Sequence, residues 1–306
     1  MRAPFLGKTL IVTAPSRQWT TPEGRIDWTL RRKAFEAAET LGFDVREMQG
    51  TCEEIRRFAG DDRRRALDLM TAMTDVQGDL VMAMRGGYGA GRLLSMLDWN
   101  RLKNAATPLI GYSDTTALTL ALLAKTGRES WQGPTLRDLI EPDPLTVDGV
   151  KQALGMASFH VAWTVEEPAE MQVTGTLWGG NLAVLTSLLG SEYFPAVTGG
   201  ILFVEDIGES AYRVERMLLS LLHGGILQRQ RALLIGDLAG VDRACGWKGD
   251  FDAATMLSFI RERAGIPILT GLPFGHIHAK CSLPVGREVA LTVSRGQAVL
   301  VDAARC

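Results

Sequence analysis

The chain has 306 residues, 46% of them hydrophobic, and its 33 basic and 35 acidic residues give a formal net charge of −2. This length predicts two packed domains, and the hydrophobic fraction is sufficient for a sizeable core in each. Basic residues are spread thinly, which excludes nucleic acid as an expected partner, because phosphate-dense polymers are bound by clustered positive charge.

The first part of the chain alternates strand-like and helix-like segments. Apolar runs typical of strands lie at residues 9–15, 43–48, 78–84 and 108–110, and helical patterns lie at 28–43, 62–73 and 115–125. Strands that alternate with helices predict an α/β domain with a mostly parallel sheet, covered by helices on both faces. A ligand site is then expected at the carboxyl ends of the strands.

The composition changes near residue 140, where prolines and acidic residues predict a surface connection followed by a helix near 148–157. We therefore place an N-terminal domain at 1–138, a linker at 139–168 and a second domain at 169–306. Later strand-like runs lie at 160–165, 170–178, 199–206, 231–240, 288–294 and 298–302, and helical segments lie at 210–225 and 251–265. This half is predicted to be α+β, rich in β-structure and barrel-like.

The cysteines and the apolar runs indicate in which cellular compartment the protein is expected. Cys52, Cys245, Cys281 and Cys306 are widely scattered without a CxxC pair, so neither a disulfide framework nor a thiolate metal site is predicted. The first apolar run, at residues 9–12, is far too short to span a bilayer. We expect incidental thiols in a reducing cytoplasm and no membrane partner.

A glycine-rich loop at 84–92, with the sequence MRGGYGAGR, directly follows a predicted strand. Successive glycines allow backbone N–H groups to face an anion or an oxyanion without hindrance from a Cβ atom. The loop is not a dinucleotide fingerprint, because Gly87, Gly89 and Gly91 lack the glycine required at the sixth position, and it lacks the Lys-Ser/Thr of a P-loop. A tight turn between a strand and a helix is the alternative interpretation.

A second candidate segment, GYSDTTAL at 111–118, runs from an apolar strand through a serine into a helix. A sharp turn of this kind exposes a serine hydroxyl and places the following N–H groups at a helix N-terminus, where they stabilise an oxyanion. The segment differs from the G-x-S-x-G elbow because Thr115 replaces the second glycine. The alternative is that Ser113 or Asp114 caps the helix.

A serine nucleophile requires a base and an orienting carboxylate. Of the four histidines, one lies near the linker and one ends a predicted helix, whereas His276 and His278 occupy a loop rich in glycine and proline. Glu205 and Asp206 close an apolar strand, and a carboxylate at the carboxyl end of a strand is well placed for a site. These positions favour a base from the histidine loop and an acid from this strand end.

A metal site is the competing interpretation of the histidine loop. His276 and His278 share a face if the segment is a strand, and Cys281 follows shortly after. Cys281 stands at an odd offset from both histidines, so it would face the other side of a continuing strand. We therefore expect no metal site.

Five ordered segments carry a resemblance to a known family. They are RGGYGAGRLL, GYSDTTAL, GTLWGGNLAVL, ILFVEDIGESAYRVERML and GLPFGHIHAKCSLPVG, with APSR near the start and CEEIRRFAG at 52–60 in addition. Together they resemble the motifs of the bacterial LD-carboxypeptidases, the muramoyltetrapeptide carboxypeptidase family of serine peptidases. The resemblance extends over almost the whole chain.

The resemblance implies a catalytic triad of Ser113, Glu205 and His276. It also implies a Rossmann-like N-terminal domain that supplies the serine, a β-rich C-terminal domain that supplies the other two residues, and a cytoplasmic homodimer that needs no cofactor. The implied reaction is removal of terminal D-alanine from a muropeptide, the tetrapeptide of peptidoglycan, through an acyl-enzyme. Gly87, whose backbone is unshielded, and Asp114, which follows the nucleophile, are candidates for the oxyanion hole.

Substrate contacts are predicted on the same motifs. Arg85 and Arg92 are candidates for binding the terminal carboxylate, and Tyr88 and Trp178 are further candidate contacts.

Two positions depart from the family pattern. Gln132 stands where relatives usually carry serine or histidine before a Gly-Pro pair, a change that bears on the pocket wall. His278 is a second histidine that the pattern does not require, so no role is assigned to it.

Two other functions fit part of the pattern. A microcin-immunity type of enzyme uses the same triad to split peptidyl or aminoacyl adenylates, and an aromatic clamp for adenine would favour it. A non-catalytic α/β module would use the glycine-rich loop to bind an anionic sugar or nucleotide, and its serine, glutamate and histidine would lie apart. The distances among these three side chains decide between an enzyme and such a module.

Overall fold

The computed structural model of the protein describes residues 3–167, 170–242 and 251–303. Strands and helices alternate in the first half, which comprises β1 (Lys8–Thr13), α1 (Trp28–Thr40), β2 (Phe43–Glu47), α2 (Asp62–Thr74), β3 (Leu80–Ala83), α3 (Trp99–Lys103), β4 (Leu109–Gly111), α4 (Thr116–Thr126) and β5 (Ser130–Gln132). The predicted alternation is confirmed, and α3 and β5 are additions to it. Cys245 and Cys306 lie outside the described residues.

The second half is richer in strands, as predicted. It comprises α5 (Pro144–Ala153), β6 (His160–Thr164), β7 (Met171–Asn181), α6 (Leu182–Ser187), β8 (Ile201–Ile207), α7 (Ala211–His223), β9 (Ala232–Ala239), α8 (Ala253–Ala264), β10 (Ile268–Leu269), β11 (Leu283–Val285), β12 (Arg287–Ser294) and β13 (Gln297–Asp302). Among the described residues, no helix combines the length and the apolar character needed to cross a membrane.

Local sequence sets where several helices begin. Asp27 and Asp61 stand just before α1 and α2, and their carboxylates accept hydrogen bonds from N–H groups in the first turn. Asp143 caps α5 in the same way and is followed by a proline, which has no N–H to satisfy. Each such cap stabilises its helix by about 1 kcal/mol.

The first sheet has the strand order β11-β5-β4-β3-β1-β2. Strands β1 to β5 pair in parallel, as predicted, and β11 adds an antiparallel edge to β5. Residues 283–285 therefore complete the N-terminal sheet across the predicted boundary between domains 1–138 and 169–306. The loops after β3 and β4 carry the glycine-rich segment and Ser113, and they lie side by side because these strands are neighbours.

The second sheet has the order β10-β9-β8-β7-β12-β13-β6. Strands β7 to β10 are parallel, and β12, β13 and β6 continue the sheet in antiparallel pairs. The predicted linker at 139–168 is thus more than a connection, since it supplies α5 and the edge strand β6. The two edges approach each other where Trp163 Nε1 donates to the Thr270 carbonyl at 3.1 Å, which gives the predicted barrel-like curl.

Helix α4 connects the serine segment to both sheets. Its residues 116–122 are all buried, and the helix packs against β5 of the first sheet and β7 of the second. Leu118, Leu120 and Leu122 enter the core that the two sheets share, and burial of each such side chain stabilises the fold by about 1.5–3 kcal/mol. The segment just before α4 is therefore fixed at the boundary between the sheets.

Candidate active site

Ser113 lies in a strained turn between β4 and α4. Residues Ser113–Thr115 form a 3₁₀ turn, and Ser113 has a positive φ of 60°. This left-handed conformation costs an L-amino acid about 1–2 kcal/mol, and such strain collects at functional sites. The turn leaves the serine partly exposed at the carboxyl edge of the first sheet.

Asp114 ties this turn to the two loops beside it. Its buried Oδ2 accepts hydrogen bonds from Ser16 Oγ at 2.6 Å and from the Ala90 N–H at 2.8 Å. Burial raises the pKa of Asp114, and the two hydrogen bonds oppose that rise. Within the described part of the chain, α4 has no side-chain cap, so the interpretation of Ser113 or Asp114 as a simple helix cap is wrong.

The glycine-rich loop lies against the serine. A Cβ atom on Gly86 would stand 2.8 Å from Ser113 Cβ and 3.0 Å from Ser113 Oγ, so the close approach requires glycine. Gly87, the predicted oxyanion-hole residue, follows with a φ of 124° and is exposed. The loop therefore presents an unshielded backbone beside the hydroxyl. The sequence predicts the loop but does not distinguish Gly86 from the neighbouring glycines.

His276 and Glu205 form a hydrogen-bonded pair. His276 Nδ1 and Glu205 Oε2 are 2.8 Å apart, and Glu205 is fully buried near the end of β8. Asn181 donates from Nδ2 to the other carboxylate oxygen at 3.1 Å, because the parallel register of β7 and β8 aligns Asn181 with Glu205. This arrangement orients Nδ1–H toward the carboxylate and leaves Nε2 as the atom that accepts a proton.

Tyr112 brings this pair to the serine turn. The rings of Tyr112 and His276 pack with centroids 4.9 Å apart, and Tyr112 directly precedes Ser113. The pair of His276 and Glu205 therefore packs against the residue just before Ser113.

A largely buried ion pair packs beside Tyr112. Lys280 Nζ lies 3.5 Å from the Tyr112 hydroxyl and 4.5 Å from the ring centroid, and it pairs with Asp138. Burial raises the pKa of Tyr112, and the charges of Asp138 and Glu205 raise it further, so the phenol is neutral at ordinary pH. The sequence analysis missed this pair, whose only signal is the presence of Lys280 in the motif that carries His276.

Asp206 has a different role from Glu205, although the two are adjacent in the chain. Its Oδ2 accepts from the Ala183 N–H at 2.8 Å, and its Oδ1 accepts from Asn181 Nδ2 at 3.2 Å. Burial raises the pKa of Asp206 to about 6. Asp206 thus anchors the start of α6, and Glu205 is the carboxylate that faces the histidine.

A cavity of about 570 Å³ opens beside His276. Tyr112, Arg137, His278 and Lys280 line it together with His276. Its volume lies in the range of small-molecule sites. Basic side chains outnumber acidic ones in the lining, which favours an anionic ligand.

Arg85 and Tyr88 share the glycine-rich loop but have different surroundings. Arg85 is half-buried, and burial together with the charges of Arg17 and Arg137 lowers its pKa to about 10. Tyr88 is exposed, with its ring centroid 6.1 Å from that of Phe58. Both stay predicted substrate contacts, with Arg85 partly buried beside Gly86 and Tyr88 exposed to solvent.

The other two predicted substrate contacts also differ in their surroundings, and the structure contradicts one of them. Arg92 donates from Nε and Nη2 to Asp62 Oδ2 at 2.8 and 2.6 Å, so its guanidinium is already engaged at the surface. Trp178 is fully buried in β7, and its Nε1 donates to Gln230 Oε1 at 3.0 Å. Trp178 is therefore a core residue.

The two departures from the family pattern have different positions. Gln132 is fully buried, and its Nε2 donates to Thr119 Oγ1 at 2.7 Å, so it braces α4 and does not form the cavity wall. His278 is exposed and lines the cavity.

The residues of the alternative metal site have different surroundings. Within residues 3–167, 170–242 and 251–303, no group of three or more His, Cys, Asp or Glu side chains is arranged to hold a metal ion. His276 Nδ1 is engaged by Glu205. Cys281 is buried, which raises the pKa of its thiol and keeps it protonated.

Two family models match the chain. The LD-carboxypeptidase N-terminal domain matches residues 11–133, and the LD-carboxypeptidase C-terminal domain matches residues 174–291. The first range contains Ser113, and the second contains Glu205 and His276.

Individual proteins show the same similarity. The murein tetrapeptide carboxypeptidase of Pseudomonas aeruginosa is 33% identical over 276 residues, which cover 84% of this chain and 86% of that protein. The crystal structure of a muramoyltetrapeptide carboxypeptidase from Oxalobacter formigenes has a TM-score of 0.84 and 36% identity, covering 96% of this chain and 99% of that one. The microcin C7 self-immunity protein MccF of Escherichia coli is 26% identical over 299 residues, 86% of each chain.

Proposed function

Because the chain belongs to the LD-carboxypeptidase family, we propose that it is a serine carboxypeptidase that releases terminal D-alanine from peptidoglycan-derived tetrapeptides. The observation that supports this most is the hydrogen-bonded pair of His276 and Glu205 beside the turn of Ser113. The substrate class follows the names of the Pseudomonas and Oxalobacter relatives. The volume of the cavity beside His276 suits a short peptide.

Acylation comes first in the proposed reaction. Ser113 Oγ attacks the carbonyl carbon of the L-configured centre of the diamino acid, and His276 Nε2 accepts the hydroxyl proton. Glu205 holds the productive tautomer and stabilises the imidazolium that forms. The backbone N–H groups of Gly87 and Asp114 are the proposed donors to the oxyanion.

Acylation ends when His276 gives its proton to the amine of the departing D-alanine, and the acyl group stays on Ser113. In deacylation a water molecule attacks the ester while His276 accepts a proton from it. His276 then returns this proton to Ser113 Oγ as the acyl bond breaks, which frees the peptide as a carboxylic acid and restores the serine. Glu205 holds the imidazole in both steps because Asn181 and burial fix the carboxylate.

The second candidate function is cleavage of aminoacyl or peptidyl adenylates, the activity of the microcin-immunity type of enzyme. It rests on the similarity to the microcin C7 self-immunity protein. Adenine recognition calls for an aromatic clamp. Within the described lining of the cavity, Tyr112 is the one aromatic side chain besides the histidines, and it is engaged by His276 and Lys280. This supports a peptide substrate over a nucleotide.

Release of D-alanine from defined peptides tests the proposal. We expect rapid release from L-Ala-D-Glu-(meso-diaminopimelate)-D-Ala and little from the same peptide extended by a second D-Ala, because the reacting carbonyl must belong to an L centre. Ser113→Ala is the control and should lose several orders of magnitude in rate. Equal rates on both peptides, or release of D-Ala-D-Ala, would contradict the proposal. If the protein cleaves an aminoacyl adenylate and neither peptide, the microcin-immunity type of activity is the correct one.

We further propose that the protein is a cytoplasmic homodimer that acts in the recycling of cell-wall peptides, with domains 1–138 and 169–306 meeting at the triad. The family resemblance of the motifs and the exposed free thiol of Cys52 support this setting. Light scattering from the purified protein tests the dimer, and cell fractionation tests the compartment.

A further inference from the structure

Several arginine side chains around the serine turn have no acidic partner among the described residues, and Arg17, Arg85 and Arg137 are among them. Arg17, Arg85 and Arg137 take part in none of the ion pairs formed among the described residues. By contrast, the guanidinium of Arg92, in the same loop as Arg85, binds Asp62. An unpaired guanidinium at a site is an anion receptor, because its planar set of N–H donors matches the geometry of a carboxylate.

Arg85 is the most confined of the three. Its Nε donates to the Gly86 carbonyl at 3.2 Å and its Nη1 to the Gln18 carbonyl at 3.4 Å. These bonds hold the side chain in place and leave other N–H groups of the guanidinium to be satisfied. The positive charges of Arg17 and Arg137 repel the charge of Arg85. An anion bound here would reduce this repulsion and would accept hydrogen bonds from the N–H groups that lack a partner.

Arg17 and Arg137 reach the same region from other segments. A Cβ atom on Gly87 would stand 2.8 Å from Arg17 Cβ, and the buried Arg17 Nε has no hydrogen-bond partner among the described residues. Arg137 is exposed and lines the cavity beside His276. A buried donor without a partner is costly, and a ligand that accepts its hydrogen bond removes that cost.

The acidic groups nearby do not neutralise these arginines. Asp138 is paired with Lys280, and Glu205 is paired with His276. Positive charge is therefore left uncompensated on the side of the serine turn where the glycine-rich loop begins.

We propose that Arg85 and Arg137, supported by Arg17, bind the C-terminal carboxylate of the substrate, an inference that rests on the proposed peptidase function. The carboxylate carbon of a terminal residue is three bonds from the carbonyl carbon that Ser113 attacks. The Arg85 guanidinium donates to the carbonyl of Gly86, the glycine whose added Cβ would stand 3.0 Å from Ser113 Oγ, so it lies on the side of the turn that a terminal carboxylate would reach. A peptide that continues beyond the leaving residue has no anion at this distance, which explains release of a single terminal residue.

The test compares two substrates, the tetrapeptide with a free terminal carboxylate and the same tetrapeptide ending in D-alaninamide. We expect wild-type kcat/KM to favour the free acid by about 100-fold. Arg85→Met and Arg137→Met should each lower kcat/KM for the acid by about 10- to 100-fold and leave the value for the amide within about threefold. Arg92→Met is the matched control, since Asp62 already holds its guanidinium, and it should change neither value.

Circular dichroism and thermal unfolding establish that each variant is folded, and Arg137→Met, at an exposed position, carries the test if Arg85→Met does not fold. Equal wild-type rates on the two substrates, or variants that slow both equally, would overturn the carboxylate site and leave the peptidase function standing. A wild-type enzyme inert toward both substrates would overturn the proposed function and the carboxylate site with it.

Discussion

Glu205→Gln exchanges one oxygen of a fully buried carboxylate for an NH₂ group at nearly constant volume. The present oxygens face different partners: Oε1 accepts from Asn181 Nδ2 at 3.1 Å, and Oε2 pairs with His276 Nδ1 at 2.8 Å. The orientation of Asn181 is fixed because its Oδ1 accepts from the Val184 N–H at 3.1 Å. The oxygen of the new amide must then face Asn181, and its NH₂ must face His276.

This reversal changes the tautomer of the imidazole. His276 has to accept at Nδ1 and carry its proton on Nε2, so it cannot take the proton of Ser113. The same reversal in a serine triad lowers kcat by about 10⁴-fold, or about 5 kcal/mol in activation free energy at 1.36 kcal/mol per factor of ten. The free energy of unfolding should change by less than about 2 kcal/mol, because both partners stay hydrogen-bonded and no cavity forms.

The rate of D-alanine release at saturating tetrapeptide gives kcat, and urea unfolding gives the stability. Adding Asn181→Asp supplies the control, because a carboxylate at this position accepts from the new NH₂ and turns the amide oxygen back toward His276. We expect the double variant to regain at least about tenfold in kcat near pH 6. At that pH Asp206, whose pKa burial raises to about 6, is partly protonated and repels the added carboxylate less. A folded Glu205→Gln enzyme within tenfold of wild type, or a double variant no faster, would refute the reasoning.

Three other outcomes follow from the structure. Ser113→Gly and Ser113→Ala should both abolish turnover, and the glycine variant should be the more stable by up to about 1 kcal/mol in urea unfolding, because it adopts the left-handed turn without strain. Burial raises the pKa of Asp206 from 3.8 to about 6, so the unfolded chain releases this proton first as pH rises and the folded state loses stability between about pH 4 and 6. Asp206→Asn should therefore gain about 3 kcal/mol relative to wild type between pH 4 and 7, at 1.36 kcal/mol per unit; a constant difference would contradict this. His276→Ala should be inactive, while His278→Ala and treatment with EDTA should each leave kcat within about threefold; recovery of an EDTA-treated enzyme by zinc would reverse the serine assignment.

The elements that the sequence predicts are those with a clear apolar pattern, and those it misses are short. β5, β10 and β11 have only two or three residues each, too few to show a period. β11 also contains Pro284, which is typical of an edge strand and argues against a central one. Such segments become strands because a neighbour pairs with them, so tertiary contacts decide what the local pattern cannot.

In the site, too, local sequence indicates some residues, whereas others depend on how the strands pair. Residue type and position point to the serine turn, the strand end that carries Glu205 and Asp206, and the loop that carries His276 and His278, and the family resemblance chooses one residue in each. The contribution of Asn181 depends on the register of β7 against β8, which no local pattern carries. Trp178 was wrongly predicted as a substrate contact because its motif does not reveal the burial of the indole, and the motif of Arg92 likewise does not reveal the salt bridge with Asp62.

The pairing of β11 explains how two sheets build one site. A short segment leads from His276 to Leu283, which pairs with Gln132 in β5, and Gln132 pairs in turn with Gly111 at the end of β4. Gly111 stands just before the turn of Ser113, so a single row of backbone pairs connects the segment after the proposed base to the turn of the proposed nucleophile. The same histidine is hydrogen-bonded to Glu205 on the second sheet, so its position depends on both sheets. A shift of either sheet would therefore change the distance between Ser113 and His276.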